Sequence, residues 1–312
     1  MNAAVQRNSA VDPLRVLLAI FVIGIHTGFP DALQGEAKQT LVNGLYRTAV
    51  PIFSLISGFF FANAAHSGRG VVYLKRILIL YTIWMVIYAP IYGPEITSLP
   101  HLLQLWFFGY FHLWFLAGMV MAGALLLMLI RWKVPIRGIV LIALILAAGG
   151  IVLQYLVLSK RLSLQLDLYR NGLFVIFPFF AIGYALAATG IRKVGAGGKR
   201  LAGLSVVAVM AESVVWYYIA GGTYGVDSMV SLLACAPLVF LAALSRKGFS
   251  QGKQLATLAA FTYFSHILAM VTATQLGISG DLKFVFVVAL CLLVWWLLNS
   301  FSLGQRVLAK IT

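Results

Sequence analysis

Residues 12–29 read DPLRVLLAIFVIGIHTGF, an apolar run that carries two ionisable side chains, Arg15 and His26. Its length is close to the roughly 20 residues that an α-helix needs to cross a bilayer. Eleven helical steps of about 100° bring His26 to within roughly 20° of Arg15, and a rise of about 1.5 Å per residue separates them by about 16 Å. Because charge is expensive in hydrocarbon, intramembrane ionisable residues usually have a function. The run predicts a membrane helix with a polar stripe from Arg15 to His26.

The composition indicates an integral membrane protein. The 312 residues are 62% hydrophobic and 10% charged, whereas soluble domains average about 25% charged residues. The apolar runs are continuous rather than alternating, which excludes a β-barrel. We expect an all-α bundle of about ten transmembrane helices, forming a single domain over residues 1–312 with neither a soluble appended domain nor a cleaved signal peptide. The runs cover approximately residues 12–29, 46–65, 73–92, 112–131, 136–158, 171–189, 201–220, 226–245, 255–276 and 282–304.

The distribution of cations predicts the orientation in the membrane. Of the 23 Lys and Arg residues, 17 fall at the termini or in the even-numbered loops, and the other six are Lys38, Arg47, Lys160, Arg161, Arg170 and Lys283. The positive-inside rule then places both termini in the cytoplasm, as for a multi-pass protein of a bacterial inner membrane. We therefore interpret the net charge of +15 as a topological signal and expect no nucleic-acid partner, since no aromatic-interleaved basic patch lies on a soluble face.

The first helix carries the strongest candidate site. His26 is a candidate catalytic residue, with a core histidine as the alternative, because imidazole accepts protons near neutral pH. Arg15 either binds an anionic substrate or marks the end of the helix. Asp12 lies three residues before Arg15, which allows an ion pair on one helix face. Asp12 followed by Pro13 is equally typical of a helix N-cap, so both roles stay open.

The next helices contain weaker candidates. Lys75 and Arg76 open the third run and are either ordinary membrane anchors or ligands of phosphate groups. Pro51 is expected to kink the second helix, and Gly58 to allow close helix packing. Ser57 is a possible polar-core residue with a predicted structural role, because no base lies near it in sequence to support a nucleophilic one.

Three further ionisable residues are candidates for a polar core, namely Glu212, His112 and His266. Glu212 lies in the middle of an apolar run, so it should face the bundle interior or water, in a functional or a structural pair. His112 begins a run and fits an interfacial position, whereas His266 lies deeper. The histidines lack the spacing of metal ligands, so we predict no metal site. Aromatic residues of the connector 92–111 indicate a segment that lies on the outer membrane interface, as a simple connector or also as a lid.

The ordered motifs resemble those of the acyltransferase family 3 membrane proteins, and the resemblance covers nearly the whole chain. The spacing Asp12-x-x-Arg15-x10-His26 is the first of them. The others follow in the same order: Val50-Pro51-Ile52-Phe53-x-x-x-Ser57-Gly58-Phe59-Phe60, Lys75-Arg76 with Trp84, His112-Leu113-Trp114-Phe115-Leu116, Pro178-Phe179-Phe180-x-x-Gly183-Tyr184 and Tyr263-x-x-His266.

The resemblance implies a ten-helix enzyme that moves an acyl group, usually acetyl from acetyl-CoA, onto a sugar hydroxyl of an exopolysaccharide, an O-antigen or a lipid-linked precursor. It implies that His26 is the catalytic histidine, as general base or acyl carrier, and that Arg15 supports it or the donor. Acyl-CoA would then be a substrate rather than a resident cofactor, and the partners would be the glycan acceptor, membrane lipids and the machinery of polysaccharide synthesis. One departure is Ile79, where many members carry a second arginine.

Two other functions remain open on sequence grounds. The first is a proton-coupled transporter or flippase that uses His26, Glu212 and His266 as a relay. The second is a non-catalytic membrane subunit that holds a polysaccharide synthase together. The acceptor sugar, the acyl group and the oligomeric state are not specified by the sequence.

Overall fold

The computed structural model describes residues 9–248 and 252–312, and within these ranges the secondary structure is helical throughout, without a strand. The chain forms two compact units. The described part of the first comprises residues 50–192, and that of the second comprises residues 9–49 and 193–312. The predicted all-α class is therefore confirmed for these residues.

The first unit contains six α-helices, of which α3 begins at the boundary between the units. They are α3 (Ala49–His66), α4 (Gly70–Tyr92), α5 (Leu99–Phe108), α6 (Trp114–Arg131), α7 (Ile136–Leu158) and α8 (Phe177–Ala188). A π-helical segment, Gly172–Ile176, leads into α8, and the Asn171 side chain accepts hydrogen bonds from the amides of Leu173 and Phe174 at its start.

The second unit contains the first two helices and the last five. They are α1 (Asp12–Thr27), α2 (Gly35–Val42), α9 (Ala196–Ala220), α10 (Leu232–Leu244), α11 (Gly252–Gln275), α12 (Gly280–Asn299) and α13 (Ser302–Ile311). A 3₁₀ turn, Leu45–Thr48, follows α2.

Eight segments of the described chain are long and apolar enough to cross a membrane, which identifies a multi-pass membrane protein. Gly172–Ala188 and Leu232–Leu244 are shorter apolar helices that fall within the two remaining predicted runs. The eight segments are Ser9–Thr27, Gly35–His66, Gly70–Glu95, Phe111–Arg131, Ile136–Leu158, Ala196–Ala220, Gly252–Gln275 and Gly280–Asn299.

Several predicted boundaries were wrong, and Pro51 lies nearer the start of its helix than predicted. The run 226–245 begins with residues outside any helix and becomes helical only at Leu232, and a carboxylate described below binds the two amides that precede this helix. The run 282–304 covers two helices, α12 and the amphipathic α13. Pro51 lies in the first turn of α3, where a proline is tolerated because the first amides of a helix have no helical partner. No interior kink at this residue is therefore required.

Helices α1, α11 and α12 pack together in the second unit. A Cβ atom added to Gly252 would come within 2.8 Å of Asp12 Oδ2, and the rings of His26 and His266 are in contact. Helices α1 and α11 therefore run in the same direction. Phe29 stacks on Phe284 of α12 with ring centroids 4.0 Å apart. Buried side chains fill the space between the three helices, namely Ile23, Ala269, Val287 and Cys291.

In the first unit, the predicted close packing at Gly58 is confirmed. A Cβ atom on Gly58 of α3 would overlap the backbone carbonyl oxygen of Phe180 on α8. Reciprocally, a Cβ atom on Gly183 of α8 would overlap the carbonyl oxygen of Leu55 on α3. The two backbones are in direct contact, an arrangement that small residues permit between membrane helices.

A buried polar network joins α2 and the 3₁₀ turn to the loop between α9 and α10. Arg47 donates to Asp227 at 2.5 Å and to Asn43 Oδ1 at 3.0 Å. The Asn43 side chain donates in turn to Gln39 Oε1 at 3.1 Å. The Gln39 side chain donates to the backbone carbonyl of Tyr224 and accepts from the backbone N–H of Tyr224, each at 3.1 Å. The side chains of Arg47 and Asp227 are 15% and 13% exposed, so this ion pair lies mostly out of water. Such pairing makes charge tolerable in an apolar bundle.

We expect Gly58→Ala to destabilise the protein by about 1–3 kcal/mol, because its methyl group enters the α3–α8 contact. Gly203→Ala is the matched control, since a Cβ atom at this helical glycine of α9 meets nothing within 4 Å. Unfolding in detergent followed by tryptophan fluorescence measures both changes. Equal stability of the two variants would contradict the close contact.

We expect Asp227→Ala to destabilise the protein by about 3–5 kcal/mol, because it leaves the Arg47 guanidinium buried without its counter-charge. The control is Asp31→Ala, which removes a longer ion pair of 3.8 Å between Lys38 and a carboxylate that is 65% exposed. This substitution should change the free energy of unfolding little, because exposed ion pairs contribute little to stability. An SDS titration of both purified variants measures the difference, and a small effect of Asp227→Ala would mean that the pair is dispensable.

Candidate functional site

The amino end of α1 holds an oriented arginine. Arg15 NH1 donates to Asp12 Oδ1 at 2.8 Å, which confirms the ion pair predicted from their spacing. The N-cap position belongs to Val11 and α1 begins at Asp12. The Asp12 side chain is 1% exposed and lies against Gly252, the first residue of α11, where the partial positive charge of a helix amino end favours a carboxylate. Asp12 is therefore placed to orient Arg15, which itself is 24% exposed.

The other end of α1 carries a pair of histidines. His26 lies in the last turn, before α1 ends at Gly28, which adopts the left-handed conformation. The imidazole of His26 stacks on that of His266, with centroids 5.2 Å apart and an interplanar angle of 25°. His26 is partly exposed, whereas His266 is fully buried. One ring of the pair is thus accessible to a substrate and the other lies behind it.

The backbone of α11 orients the buried ring. His266 Nδ1 lies 2.7 Å from the carbonyl oxygen of Tyr263. A carbonyl oxygen can only accept, so Nδ1 carries the hydrogen, and a neutral ring then has its lone pair on Nε2.

Glu212 has a structural role in the second unit. Its two carboxylate oxygens accept hydrogen bonds from the backbone amides of Val230 and Ser231, at 2.9 Å and 2.8 Å. These amides immediately precede α10, so the carboxylate caps this helix and interacts with its dipole.

A surface cavity of about 250 Å³ lies between the end of α3 and the start of α4 in the first unit. Arg69 and Arg76 line it together with Asn63 and aromatic side chains. Arg69, Tyr73 and Arg76 are spaced at intervals of four and three residues, so they share one face at the start of α4. Lys75 is outside the lining of the cavity. Guanidinium groups bind phosphate oxygens in pairs of hydrogen bonds, so the cavity suits a phosphate-bearing ligand.

Two other predicted residues of the first unit lie outside the lining of this cavity. Ser57 is half-buried beside Gly58 on α3. His112 is 2% exposed, and its ring meets Tyr88 edge-on at 5.3 Å. The connector 92–111 contains a short helix, α5, without a buried residue.

Sequence reasoning missed some features of these sites. Arg69 and Asn63 line the cavity but belong to none of the sequence motifs. The signal for Arg69 is its spacing, since it lies about two helical turns before Arg76 on the same helix face. The pairing of His266 with His26 had no local signal, because the two residues are 240 positions apart. Within residues 9–248 and 252–312, no three His, Cys, Asp or Glu side chains form a group able to hold a metal ion.

Comparison with known proteins agrees with the motifs. A family model described as an acyltransferase domain, that of acyltransferase family 3, matches residues 8–300. Two curated proteins of Enterococcus faecalis, each named amino-acid racemase, are 26% identical over 294 residues and 28% identical over 198 residues. These matches cover 85% and 56% of the chain but only 41% and 27% of the racemases, so the chain spans less than half of their length. No solved structure matches the chain significantly. The match over nearly the whole sequence shows that the chain belongs to acyltransferase family 3.

Proposed function

We propose that this protein is a membrane O-acyltransferase that transfers an acyl group, in the first instance acetyl, from acyl-CoA to a sugar hydroxyl of an exopolysaccharide, O-antigen or lipid-linked precursor. Family membership supports acyl transfer. The observation that carries the proposal is the accessible imidazole of His26 at the end of α1, supported by the buried ring of His266.

In the proposed reaction, His26 is the general base. It takes the proton of the acceptor hydroxyl while the hydroxyl oxygen forms a bond to the thioester carbon. The carbon–sulfur bond then breaks, and the CoA thiolate leaves and recovers the proton from the imidazolium. The protonation state of His26 is thereby restored.

The proposed donor site is the cavity between α3 and α4. Arg69 and Arg76 would bind phosphate groups of CoA through charge-assisted hydrogen bonds. Of the two predicted donor ligands, we therefore favour Arg76 over Lys75, which is outside the cavity lining. Arg15, oriented by Asp12 in the second unit, would bind an anionic group of a substrate.

The proposed orientation follows from the cations. With both termini in the cytoplasm and ten spans in a bacterial inner membrane, Arg15 belongs to the cytoplasmic end of α1 and His26 to its outer end. Donor and acceptor would then approach from opposite faces of the membrane. Polysaccharide-synthesis enzymes are the natural partners of such a transferase.

Two alternatives have less support. A proton relay through His26, Glu212 and His266, as in a transporter, requires an available Glu212, yet its two oxygens bind the amides before α10. The racemase activity named for the relatives belongs to proteins of which this chain matches less than half. We therefore favour acyl transfer.

We expect His26→Ala to abolish acylation of the envelope polysaccharide, because the acceptor hydroxyl loses its base. The measurement is the O-acetyl signal in NMR spectra of polysaccharide from cells that express equal amounts of each variant. His101→Ala, on α5 of the connector, is the control and should keep the signal. An intact signal with His26→Ala would refute the catalytic role and favour a non-catalytic subunit.

We expect Arg76→Ala to raise the KM for acetyl-CoA by about 10- to 100-fold with little change in kcat, since a hydrogen bond to a charged group is worth about 1.5–3 kcal/mol. Lys75→Ala is the matched control, because it removes a neighbouring exposed cation that does not line the cavity. Steady-state kinetics of the purified variants separate KM from kcat. If the two substitutions raised KM equally, general electrostatic attraction rather than the cavity would hold the donor.

A further inference from the structure

We propose that His266 is a positioning residue for His26. The ring of His266 holds the catalytic imidazole of His26 at the angle and depth that the reaction requires. The proposal rests on the proposed function of His26. It adds a second residue to the site, on a helix far away in the sequence, and assigns it a role distinct from proton transfer to substrate.

The contact between the rings is a stacked one. Centroids 5.2 Å apart at an interplanar angle of 25° correspond to an offset stack, a preferred geometry for flat rings. Such a contact restricts the side-chain rotation of His26. An aliphatic side chain at position 266 could fill the volume but would not present a flat face.

The two rings differ in accessibility, which separates their roles. His266 is 0% exposed and cannot reach a substrate, whereas His26 is partly exposed. His266 Nδ1–H donates to the carbonyl of Tyr263 at 2.7 Å, within the same helix. The buried ring is therefore tied to the backbone of α11 and forms a rigid surface for its neighbour.

The helix that carries His26 is also held from another direction. A Cβ atom on Gly24 would come within 2.5 Å of the Tyr46 ring, and the rings of Phe21 and Tyr46 are 5.0 Å apart. Helix α1 thus lies between Tyr46, on the 3₁₀ turn, and α11. This packing sets the rotation of α1, and the stack then sets the remaining freedom of the His26 side chain.

Accurate placement of a general base has a large effect on the reaction rate, since a displacement of the base by about 1 Å can lower the rate about 100-fold. Loss of the stack should lower kcat and leave donor binding unchanged, because Arg69 and Arg76 line the cavity at the start of α4 and Arg15 lies at the opposite end of α1 from His26. A purely structural role for His266 would instead lower stability and activity together.

Two substitutions separate the ring from its hydrogen bond. His266→Phe keeps a flat ring and removes the Nδ1–H donor, whereas His266→Asn keeps an N–H donor near the position of Nδ1 and removes the ring. We expect His266→Asn to lower kcat about 10- to 100-fold at an unchanged KM for acetyl-CoA. His266→Phe should restore most of this loss. Ser265→Ala, at the adjacent buried position of α11, is the control and should retain activity.

A second measurement does not depend on turnover. Diethyl pyrocarbonate modifies accessible imidazoles, and mass spectrometry of the peptide that contains His26 gives the rate of modification. We expect His26 to react faster in His266→Asn than in the wild-type protein or in His266→Phe, because its ring is released. Melting temperatures in detergent show whether each variant is folded.

The proposal is overturned if folded His266→Asn keeps the wild-type kcat and His26 reactivity. It is also overturned if both variants lose activity in proportion to their melting temperature. If His26→Ala stays active while the reactivity of His26 still depends on position 266, the proposed catalytic function fails and the contact between the rings is upheld.

Discussion

The packing of α1 against α11 determines the geometry of the candidate site. The two helices run in the same direction, so that Asp12 lies beside Gly252 at one end and His26 stacks on His266 at the other. The first contact orients the guanidinium of Arg15 through Asp12, and the second orients an imidazole. A polar stripe on one helix becomes a structured site only because a second helix covers it along its length.

The cost of charge in an apolar environment explains the other polar contacts of the second unit. Arg47 and Asp227 form a mostly buried pair, and Glu212 accepts two backbone amides at the start of α10. In hydrocarbon, an unpaired ion or an unbonded amide is expensive. These residues therefore stabilise the fold. From the sequence alone, a charged residue in an apolar run suggests a functional site in their case as much as in that of His26. The partners of an intramembrane charge, rather than its presence, separate the two roles.

The two arginines of the cavity in the first unit lie on one helix face. Arg69 and Arg76 line one cavity with Asn63, whereas Lys75, adjacent in sequence to Arg76, is outside its lining. A step of one residue turns a helix by about 100°, so Lys75 and Arg76 leave α4 in different directions and only Arg76 lines the cavity. The relatives named amino-acid racemase share only part of their length with the chain, so acyl transfer remains the activity that the family and the site support together.

The sequence alone determined the features that depend on local composition and spacing. Continuous apolar runs predicted the membrane helices, the three-residue spacing predicted the Asp12–Arg15 pair, and the ordered motifs predicted the family. The boundaries at Leu232 and between α12 and α13 were misplaced, because apolar composition alone does not show where a helix begins. Only the tertiary structure decided that His266 lies behind His26, that Glu212 caps α10, and that Arg76 rather than Lys75 faces the cavity. These facts depend on the rotation of each helix and on its neighbours, which are set by packing between residues far apart in the chain.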